Sequence, residues 1–375
     1  MKLKPTGLLV IVATMASGNT MAQSSVTLYG ITDLSIRYLT NANSDNAGKL
    51  SMENGAITNS RFGFRGTEDL GGMKAIFNLL GNINPDNGTQ PGGVLFSRAA
   101  FVGLQGSAGT VTLGRQQTAM FDLLVFSFDP LTVGNYNASQ WLPVALANGG
   151  RADNMIKYAG TFGGLTLGAG YSLGVDSSRT GPAGFSGEQP GSRSRGTQLS
   201  LAISYAAGAA AAGAAFQQTR DNAGNRMSVY NLNGSYAVGP AKLYAGYLHS
   251  TDDTGSMDRI LYALGGRTDT FVPPKGSNRR DDAFFVGVVW QAMPALKLTA
   301  AAYYDRSRNA AVNLAGTAFA DGRRYAVVGV AEYSLSKRSQ LYATLDYNKA
   351  SGAAVFDFPG KSNQTGFGVG MRHSF

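Results

Sequence analysis

The last residues of the chain alternate between large side chains and small or polar ones up to the C-terminus. Odd positions from Phe367 to Phe375 are mostly apolar, whereas even positions from Gly366 to Ser374 are glycine, arginine or serine. A period of two is typical of a β-strand with two different faces. A terminal phenylalanine is unfavourable in water but suits a membrane interface. The pattern therefore predicts a strand that closes a barrel in a membrane.

The N-terminus has the features of a secretory signal peptide. Lys2 and Lys4 precede a mostly apolar stretch, and Thr20 and Ala22 place small residues before a cleavage site. A short amphipathic or buried helix is the alternative interpretation. We expect residues 1–22 to be the signal peptide and residues 23–375 to form one exported barrel domain.

Composition limits the function classes. Without Lys2 and Lys4, the formal net charge of +9 falls to +7, which suits nucleic acid, lipopolysaccharide phosphates or an anion path. Export argues against nucleic acid as a partner. The chain has no cysteine, and outside the signal it has no apolar stretch of about 18 residues for a spanning helix. Any membrane span must therefore consist of strands.

Alternating segments recur along the chain, and their number predicts an all-β, 16-stranded antiparallel transmembrane β-barrel. Short and long connections alternate, as expected for turns on one side of a membrane and loops on the other. The Ala-rich stretch 206–215 favours a helix by propensity. Because Gly208 and Gly213 interrupt it, we interpret it as a turn and a strand. The predicted strands are 25–38, 60–68, 73–82, 97–105, 110–115, 153–161, 165–173, 196–206, 209–218, 227–237, 241–249, 282–290, 296–306, 323–334, 339–349 and 363–375.

The third long connection, residues 116–152, is unusually apolar for a surface loop. It contains Phe121, Phe126, Phe128, Tyr136 and Trp141, and it has no lysine or arginine between residues 116 and 150. Long loops of this kind are usually functional or disordered. Packing on a neighbouring subunit is one interpretation. The other folds this third loop into the lumen, with Asp122 and Asp129 as its charged edge.

Short motifs along the whole mature chain resemble the general porins of the Gram-negative outer membrane, in particular the trimeric sixteen-stranded porins of β-proteobacteria. The resemblance implies an outer-membrane channel for passive diffusion of small hydrophilic solutes, assembled as a homotrimer among lipid and lipopolysaccharide. The motifs that carry it are 25–30 (SVTLYG), 60–66 (SRFGFRG), 68–72 (EDLGG), 97–98 (SR), 101–104 (FVGL), 114–116 (GRQ), 333–338 (YSLSKR), 341–343 (LYA) and 370–375 (GMRHSF).

The resemblance also implies a pore constriction, in which arginines on the barrel wall face acids on the third loop. Carried over by motif, the wall cluster is Arg61, Arg98 and Arg151, opposite Asp122 and Asp129. Strand parity independently places Arg61 and Arg65 inside, because Phe62 and Phe64 then face lipid. For each arginine the alternative is an ordinary lumenal or rim charge. Further lumen candidates are Arg37, Arg65 and Arg115.

One position departs from the family pattern. Where relatives commonly carry a glutamate at the end of the third strand, this chain has Leu80, which favours anions over cations.

Three function classes remain: a general diffusion pore, a solute-specific channel of the same architecture, and an outer-membrane enzyme or adhesin. We expect no enzymatic activity, cofactor or metal site, because the two histidines, His249 and His373, lie near opposite ends of their strands and cannot share a site. The partners that we expect are copies of the chain, outer-membrane lipid and lipopolysaccharide, and small hydrophilic solutes and anions.

Overall fold

The computed structural model describes residues 25–132, 134, 149–175, 187–267 and 269–375. The expected signal peptide lies outside these residues, as do Tyr136 and Trp141 of the third loop. Within the described ranges, no helix is long and apolar enough to cross a bilayer.

Seventeen strand segments form one antiparallel sheet that closes on itself. They are β1 (Ser25–Leu39), β2 (Lys49–Asn54), β3 (Arg61–Asp69), β4 (Lys74–Asn82), β5 (Ala99–Gly106), β6 (Gly109–Gln117), β7 (Arg151–Phe162), β8 (Leu165–Ser172), β9 (Gln198–Ala207), β10 (Ala210–Arg220), β11 (Arg226–Val238), β12 (Ala241–Asp252), β13 (Arg279–Met293), β14 (Leu296–Ala311), β15 (Phe319–Ser334), β16 (Ser339–Gly352) and β17 (Asn363–Ser374).

The barrel closes where the first and last strands pair. β1 pairs with β17 from Ile31 to Leu39, and the backbones of Gly30 and Phe375 exchange two hydrogen bonds of 3.0 and 3.1 Å. Both ends of the barrel domain therefore lie at the rim with the short turns. The longer connections lie at the opposite rim.

β2 and β3 together form one interrupted strand position, so the barrel has sixteen positions. β3 pairs with residues 25–31 of β1, and β2 pairs with residues 34–39 on the same side. Between them, residues 55–60 bend inward. The Asp33 carboxylate fixes this bend by accepting hydrogen bonds from the backbone N–H groups of Ile57 (3.2 Å) and Thr58 (2.8 Å).

The sixteen-strand prediction is confirmed, with corrections to individual elements. β2 lies inside the segment 39–59, which was predicted to be a loop. The sequence did not reveal β2 because its six residues are too few for a long alternating pattern, whereas β3, which continues the same strand position, shows one. The Ala-rich stretch forms β9, a turn and β10 as predicted, with Gly208 at a φ of 56° in the turn. β13, β14 and β15 extend further toward the loop rim than predicted.

Alternation determines which side chains point inward. In β1, Asp33, Ser35 and Arg37 are buried toward the lumen, whereas Ile36 and Tyr38 are exposed on the outside. Strand pairing extends this parity around the sheet, because paired residues point to the same face. The outer surface is accordingly apolar over most of its height. The lumen is lined mostly by polar and charged residues. Inward-facing apolar side chains of β11–β15, such as Val229, Leu248 and Phe285, form a cluster with the segment after β6.

Candidate functional site

Three arginines from separate elements converge on one side of the lumen. Arg61 begins β3, Arg98 immediately precedes β5, and Arg151 begins β7. Asn82 of β4 is paired with Arg61 and accepts a 3.0 Å hydrogen bond from Nη1 of Arg98. The charges of Arg61 and Arg151 both act on the Arg98 guanidinium. The structure therefore brings together the three arginines that the sequence motifs single out.

The three arginines form no ion pair among the described residues, although Asp122 acts on Arg151 electrostatically. Nε of Arg98 and of Arg151 is buried without a hydrogen-bond partner. We call Arg61, Arg98 and Arg151 the arginine cluster. Its members are close enough to repel one another, which leaves a concentrated positive charge facing the lumen.

The other predicted lumen arginines are arranged differently. Arg37 forms a buried 2.6 Å ion pair with Asp346, and Arg115 forms a 2.6 Å ion pair with Asp153. Arg65 lies with its guanidinium carbon 4.8 Å from the centre of the Tyr29 ring, a cation–π geometry. Arg37 and Arg115 therefore contribute less net charge to the lumen than the arginine cluster does.

The segment after β6 runs along the inner wall, as far as it is described. Helix α1 (Ala119–Leu123) begins at Thr118, whose hydroxyl oxygen accepts a 3.2 Å hydrogen bond from the Phe121 N–H group, and a π-helical turn continues to Phe128. The Met120 N–H group donates to Ser200 Oγ on the inner face of β9, at 3.0 Å. Phe128 fills the space over Gly213 of β10, and Pro130 packs over Gly287 of β13.

Small residues on the wall make this close approach possible. A side chain at Gly213 would overlap the Phe128 ring, and one at Gly287 would contact Pro130. Residues 118–131 thus lie against inward-facing positions of β9, β10 and β13. Residues 133 and 135–148 lie outside the described part of the chain, so the inward course of the whole third loop stays a prediction.

Asp122 of α1 is close to the arginine cluster and pairs with a wall lysine. Its carboxylate forms an ion pair with Lys157 of β7, and the neighbouring Phe121 ring has the Arg151 guanidinium carbon 5.1 Å from its centre. Burial raises the pKa of Asp122 above its ordinary value, although the positive charge of Lys157 opposes the shift. α1 therefore supplies one acid next to the basic wall.

Asp129 is placed differently from the exposed edge that was expected. Its side chain is buried, and its Oδ1 accepts a 3.1 Å hydrogen bond from the Leu131 N–H group. The Tyr303 hydroxyl of β14 lies 3.5 Å from the same oxygen. Asp129 thus connects the segment to the wall, and its role as a pore charge stays a prediction.

Lys157 and Arg372 are two of the lumenal charges that were not singled out from the sequence. Lys157 points inward because it pairs with Thr112 of β6, and Arg372 of β17 donates a 3.0 Å hydrogen bond to Glu332. Parity within each strand was the available signal. Lys157 lies outside the motifs of the resemblance, whereas Arg372 lies within the motif 370–375, to which the resemblance assigns no constriction role.

Leu80 faces the lumen, as its pairing with Gly63 shows. The position near the arginine cluster that was expected to carry an acid is thus apolar. Among the described residues, no group of three potential metal ligands comes together.

The comparisons with known proteins agree with this architecture. Residues 7–353 match the profile of the family described as Gram-negative porin. An outer membrane porin protein of Bordetella pertussis is 30% identical over 388 residues, covering 96% of each chain. Outer membrane porin protein 32 of Delftia acidovorans is 31% identical over 402 residues, covering 98% of this chain and 99% of the relative.

A solved structure gives the same result at the level of the fold. The anion-selective porin from Comamonas acidovorans superposes with a TM-score of 0.71 at 25% identity, covering 94% of this chain and all of that one. The sequence match, the closed barrel and the charged lumen lead to one conclusion: the chain belongs to the Gram-negative porin family and forms a channel in the outer membrane.

Proposed function

We propose that the arginine cluster and α1 form the constriction of this porin and make it moderately anion-selective. The observation that carries the proposal is the unequal neutralisation of lumenal arginines. Arg37 and Arg115 are paired with aspartates, whereas Arg61, Arg98 and Arg151 form no ion pair among the described residues. The related Comamonas porin, which is described as anion-selective, supports the same sign of selectivity.

The mechanism is electrostatic ordering of permeant ions in a wet pore. A charge about 4 Å from an ion changes the energy of the ion by roughly 1 kcal/mol in bulk water and by roughly 4 kcal/mol at the effective dielectric constant near a protein surface, before screening by salt. Such energies rank ions and small solutes by charge without stopping their flow. Salt screens the effect, because the Debye length is about 10 Å at 0.1 M and about 3 Å at 1 M.

The opposite charges around the cluster modulate this field. Asp122 is the one acid of α1, and Lys157 compensates it. Leu80 adds no charge to the wall. Three arginines without ion pairs therefore outweigh the compensated acid. We infer that the third loop completes the constriction by packing against the opposite wall through Phe128 and Pro130.

We further propose that the protein has no enzymatic activity. His249 and His373 both lie on outward-facing positions, on β12 and β17. His249 is hydrogen-bonded to Asp282 at 2.9 Å, and His373 to Ser339 at 2.9 Å, so each has a local structural partner.

Self-association as a homotrimer is part of the same proposal. It rests on the family resemblance and on the apolar outer wall, which a neighbouring subunit can cover. A mass of three subunits in detergent, measured by light scattering and on unheated gels, is the expected result. A species that stays monomeric in both measurements would contradict the trimer.

Ion selectivity tests the main proposal directly. The protein is reconstituted in planar bilayers of neutral lipid, and the reversal potential is measured across a salt gradient at low and at high salt. We expect a water-filled conductance with an anion preference that weakens as salt increases. A cation preference, or an anion preference independent of salt, would refute the arginine cluster as the selective element.

A further inference from the structure

The outer connection between β12 and β13 contains helix α2 (Ser256–Leu264), which begins directly at the barrel wall. Asp252, the last residue of β12, accepts a 2.8 Å hydrogen bond from the backbone N–H group of Met257 in the first turn of α2. Gly255 has a left-handed φ of 75°, which turns the chain from the strand into the helix. A side chain there would overlap the carbonyl oxygen of Pro274, so the connection folds tightly back on itself.

α2 packs against the inner face of the wall. Asp258 Oδ1 accepts hydrogen bonds from Nη1 of Arg279 on β13, at 2.6 Å, and from the backbone N–H group of Ala311 at the end of β14, at 2.9 Å. Arg279 faces the lumen, because an even number of residues separates it from the inward-facing Phe285 on the same strand. Met257 belongs to the same buried apolar cluster as Phe285. α2 therefore lies inside the mouth of the barrel at the loop rim.

A network of buried charges attaches α2 to the wall. Arg279 also donates to both carboxylate oxygens of Asp281, at 2.9 and 2.8 Å. On β15, Arg324 forms ion pairs with Asp305 of β14 and with Asp357 in the connection between β16 and β17. Each of these side chains is at most 9% exposed. Removing one member of a buried ion pair leaves an uncompensated charge, so the network opposes displacement of either connection.

A short helical turn, Ala353–Asp357, packs beside the end of α2. A side chain at Gly265, which follows α2, would overlap the last carbonyl oxygen of this turn. The guanidinium carbon of Arg267 lies 5.1 Å from the ring centre of Tyr262 and 5.7 Å from that of Phe356, within the range of cation–π interactions. The two connections thus pack together as one body. We call α2 and residues 353–357 the mouth cap.

The mouth cap and the arginine cluster lie on opposite sides of the barrel. β14, at the centre of the attachment of the cap, is eight strand positions from β6, which lies between Arg98 and Arg151, and eight is half of sixteen. An α-helix with its side chains is about 10 Å wide, whereas sixteen strands about 4.8 Å apart enclose a barrel roughly 25–30 Å across. The cap therefore takes up about a third of that width, on the side away from the arginine cluster.

We propose that the mouth cap is a fixed size filter at the outer entrance, separate from the constriction. It excludes bulky solutes before they reach the arginine cluster and directs smaller ones to the side of the lumen where that cluster lies. Asp258 is its positioning residue, because it joins α2 to both β13 and β14. The inference concerns the size of solutes and does not depend on the ion selectivity proposed for the arginine cluster.

Single-cysteine variants test whether α2 borders the path of permeating solutes. The chain has no cysteine, so one introduced thiol can be labelled alone. Ala263 is exposed on the side of α2 away from Asp258, and the Ala263→Cys variant is labelled with a bulky neutral maleimide in planar bilayers. Asp45→Cys, in an exposed outer loop, is the matched control. Labelling should lower the single-channel conductance by about a third to a half in the Ala263→Cys variant and by less than about a tenth in the control.

Three results of this labelling experiment would overturn the proposal. Complete labelling of Ala263→Cys with unchanged conductance would show that α2 lies outside the solute path. Absence of labelling, under conditions that label Asp45→Cys, would show that this side of α2 does not face the lumen. Equal losses of conductance in both variants would show crowding of the entrance by the reagent.

Removal of α2 tests size selection directly. Residues 256–264 are replaced by a short Gly–Ser linker, which leaves the net charge unchanged because α2 contains one acid, Asp258, and one base, Arg259. The open cross-section grows with the square of the width, so we expect the uptake of a neutral trisaccharide relative to a monosaccharide, measured by liposome swelling, to rise by roughly twofold or more. The reversal potential in a salt gradient should stay that of the wild type. An unchanged uptake ratio would refute the size filter.

Asp258→Ala removes only the anchor of α2 and tests the proposal even if removal of the whole helix prevents folding. Arg279 keeps its ion pair with Asp281 in this variant, so the barrel can still form. We expect an uptake ratio between those of the wild type and of the variant without α2, and no change in the Asp45→Ala control. A wild-type uptake ratio would refute Asp258 as the positioning residue. A shifted reversal potential with a wild-type uptake ratio would assign the effect to charge and overturn the size filter.

Discussion

Arg37 of β1 and Asp346 of β16 form a 2.6 Å ion pair that crosses over β17, the strand that lies between them. Gly366 of β17 makes the crossing possible, because a side chain there would overlap both the guanidinium and the carboxylate. Both charged side chains are almost completely buried, with 8% and 0% exposure. The ion pair therefore joins three consecutive strands next to the seam where the barrel closes.

Asp346→Ala is expected to destabilise the barrel by about 3 kcal/mol, because it leaves the buried Arg37 charge without a partner. The free energy of unfolding can be measured by urea titration in lipid vesicles. The fluorescence of Trp290, which lies on the outer surface, reports the transition.

The double variant Arg37→Leu with Asp346→Leu is the control for this prediction. Replacing a buried ion pair by apolar residues is often neutral or stabilising, so we expect its stability to be within about 1 kcal/mol of the wild type. If the single variant is as stable as the wild type, the pair is hydrated and does not hold the seam.

Gly366→Ala tests the same contact from the backbone side. The added methyl group would displace Arg37 or Asp346, and such overpacking typically costs about 1–3 kcal/mol. Gly329→Ala on β15 is the matched control, because the nearest atom to the added carbon, the Leu345 carbonyl oxygen, is 3.9 Å away. Equal unfolding free energies for the two variants would contradict the overlap at Gly366.

The fold was predictable because one physical rule applies along the whole chain. Each strand must present apolar side chains outward and polar ones inward, and a period of two is visible without coordinates. The rule fails on the inner faces of β11–β15, where apolar side chains such as Val229 and Phe285 pack against the third loop. It also fails at residues 49–60. There the strand is interrupted, and the inward bend is held by hydrogen bonds to Asp33, which is 24 and 25 residues away from its partners in the chain.

The site was predictable only in part for a related reason. Motifs and parity indicate which arginines point inward, but they do not indicate which of them are neutralised. Arg37 and Asp346 are 309 residues apart, and the pairing of Asp122 with Lys157 depends on how the third loop packs. Net charge at one point in the lumen is thus a property of tertiary contacts, and only the structure separates the arginine cluster from the paired arginines.

Asp122→Asn is expected to make the pore more anion-selective at neutral pH, because it removes the acid that compensates Lys157. One partly screened charge is worth roughly 0.5–1 kcal/mol, which corresponds to a permeability ratio changed by about two- to fivefold. The measurement is the reversal potential in a salt gradient. Asp45→Asn in an exposed outer loop removes the same charge and should leave the ratio unchanged.

Asp122 should also make the anion preference of the pore depend on pH. Burial raises the pKa of Asp122, so on acidification it loses its negative charge at a higher pH than an exposed aspartate does. Anion preference should therefore increase as the pH falls, before exposed carboxylates titrate. In the Asp122→Asn variant, this increase in anion preference should be absent. A wild-type profile that is identical to that of the variant would show that Asp122 does not contribute to the field of the pore.

Replacing Arg61 and Arg98 with serine should widen the pore and shift its preference toward cations. The two side chains carry charge that no carboxylate neutralises within the described residues, so their loss removes most of the positive field of the cluster. At low salt we expect the anion-to-cation permeability ratio to fall by about tenfold, and at 1 M salt much less, because the Debye length is then about 3 Å.

The control variant is Lys337→Ser with Arg338→Ser, which removes the same charge from the exposed short turn between β15 and β16. It should leave the permeability ratio near that of the wild type. If the Arg61 and Arg98 double variant keeps the wild-type ion preference at low salt, these arginines are ordinary wall residues and selection occurs elsewhere in the lumen.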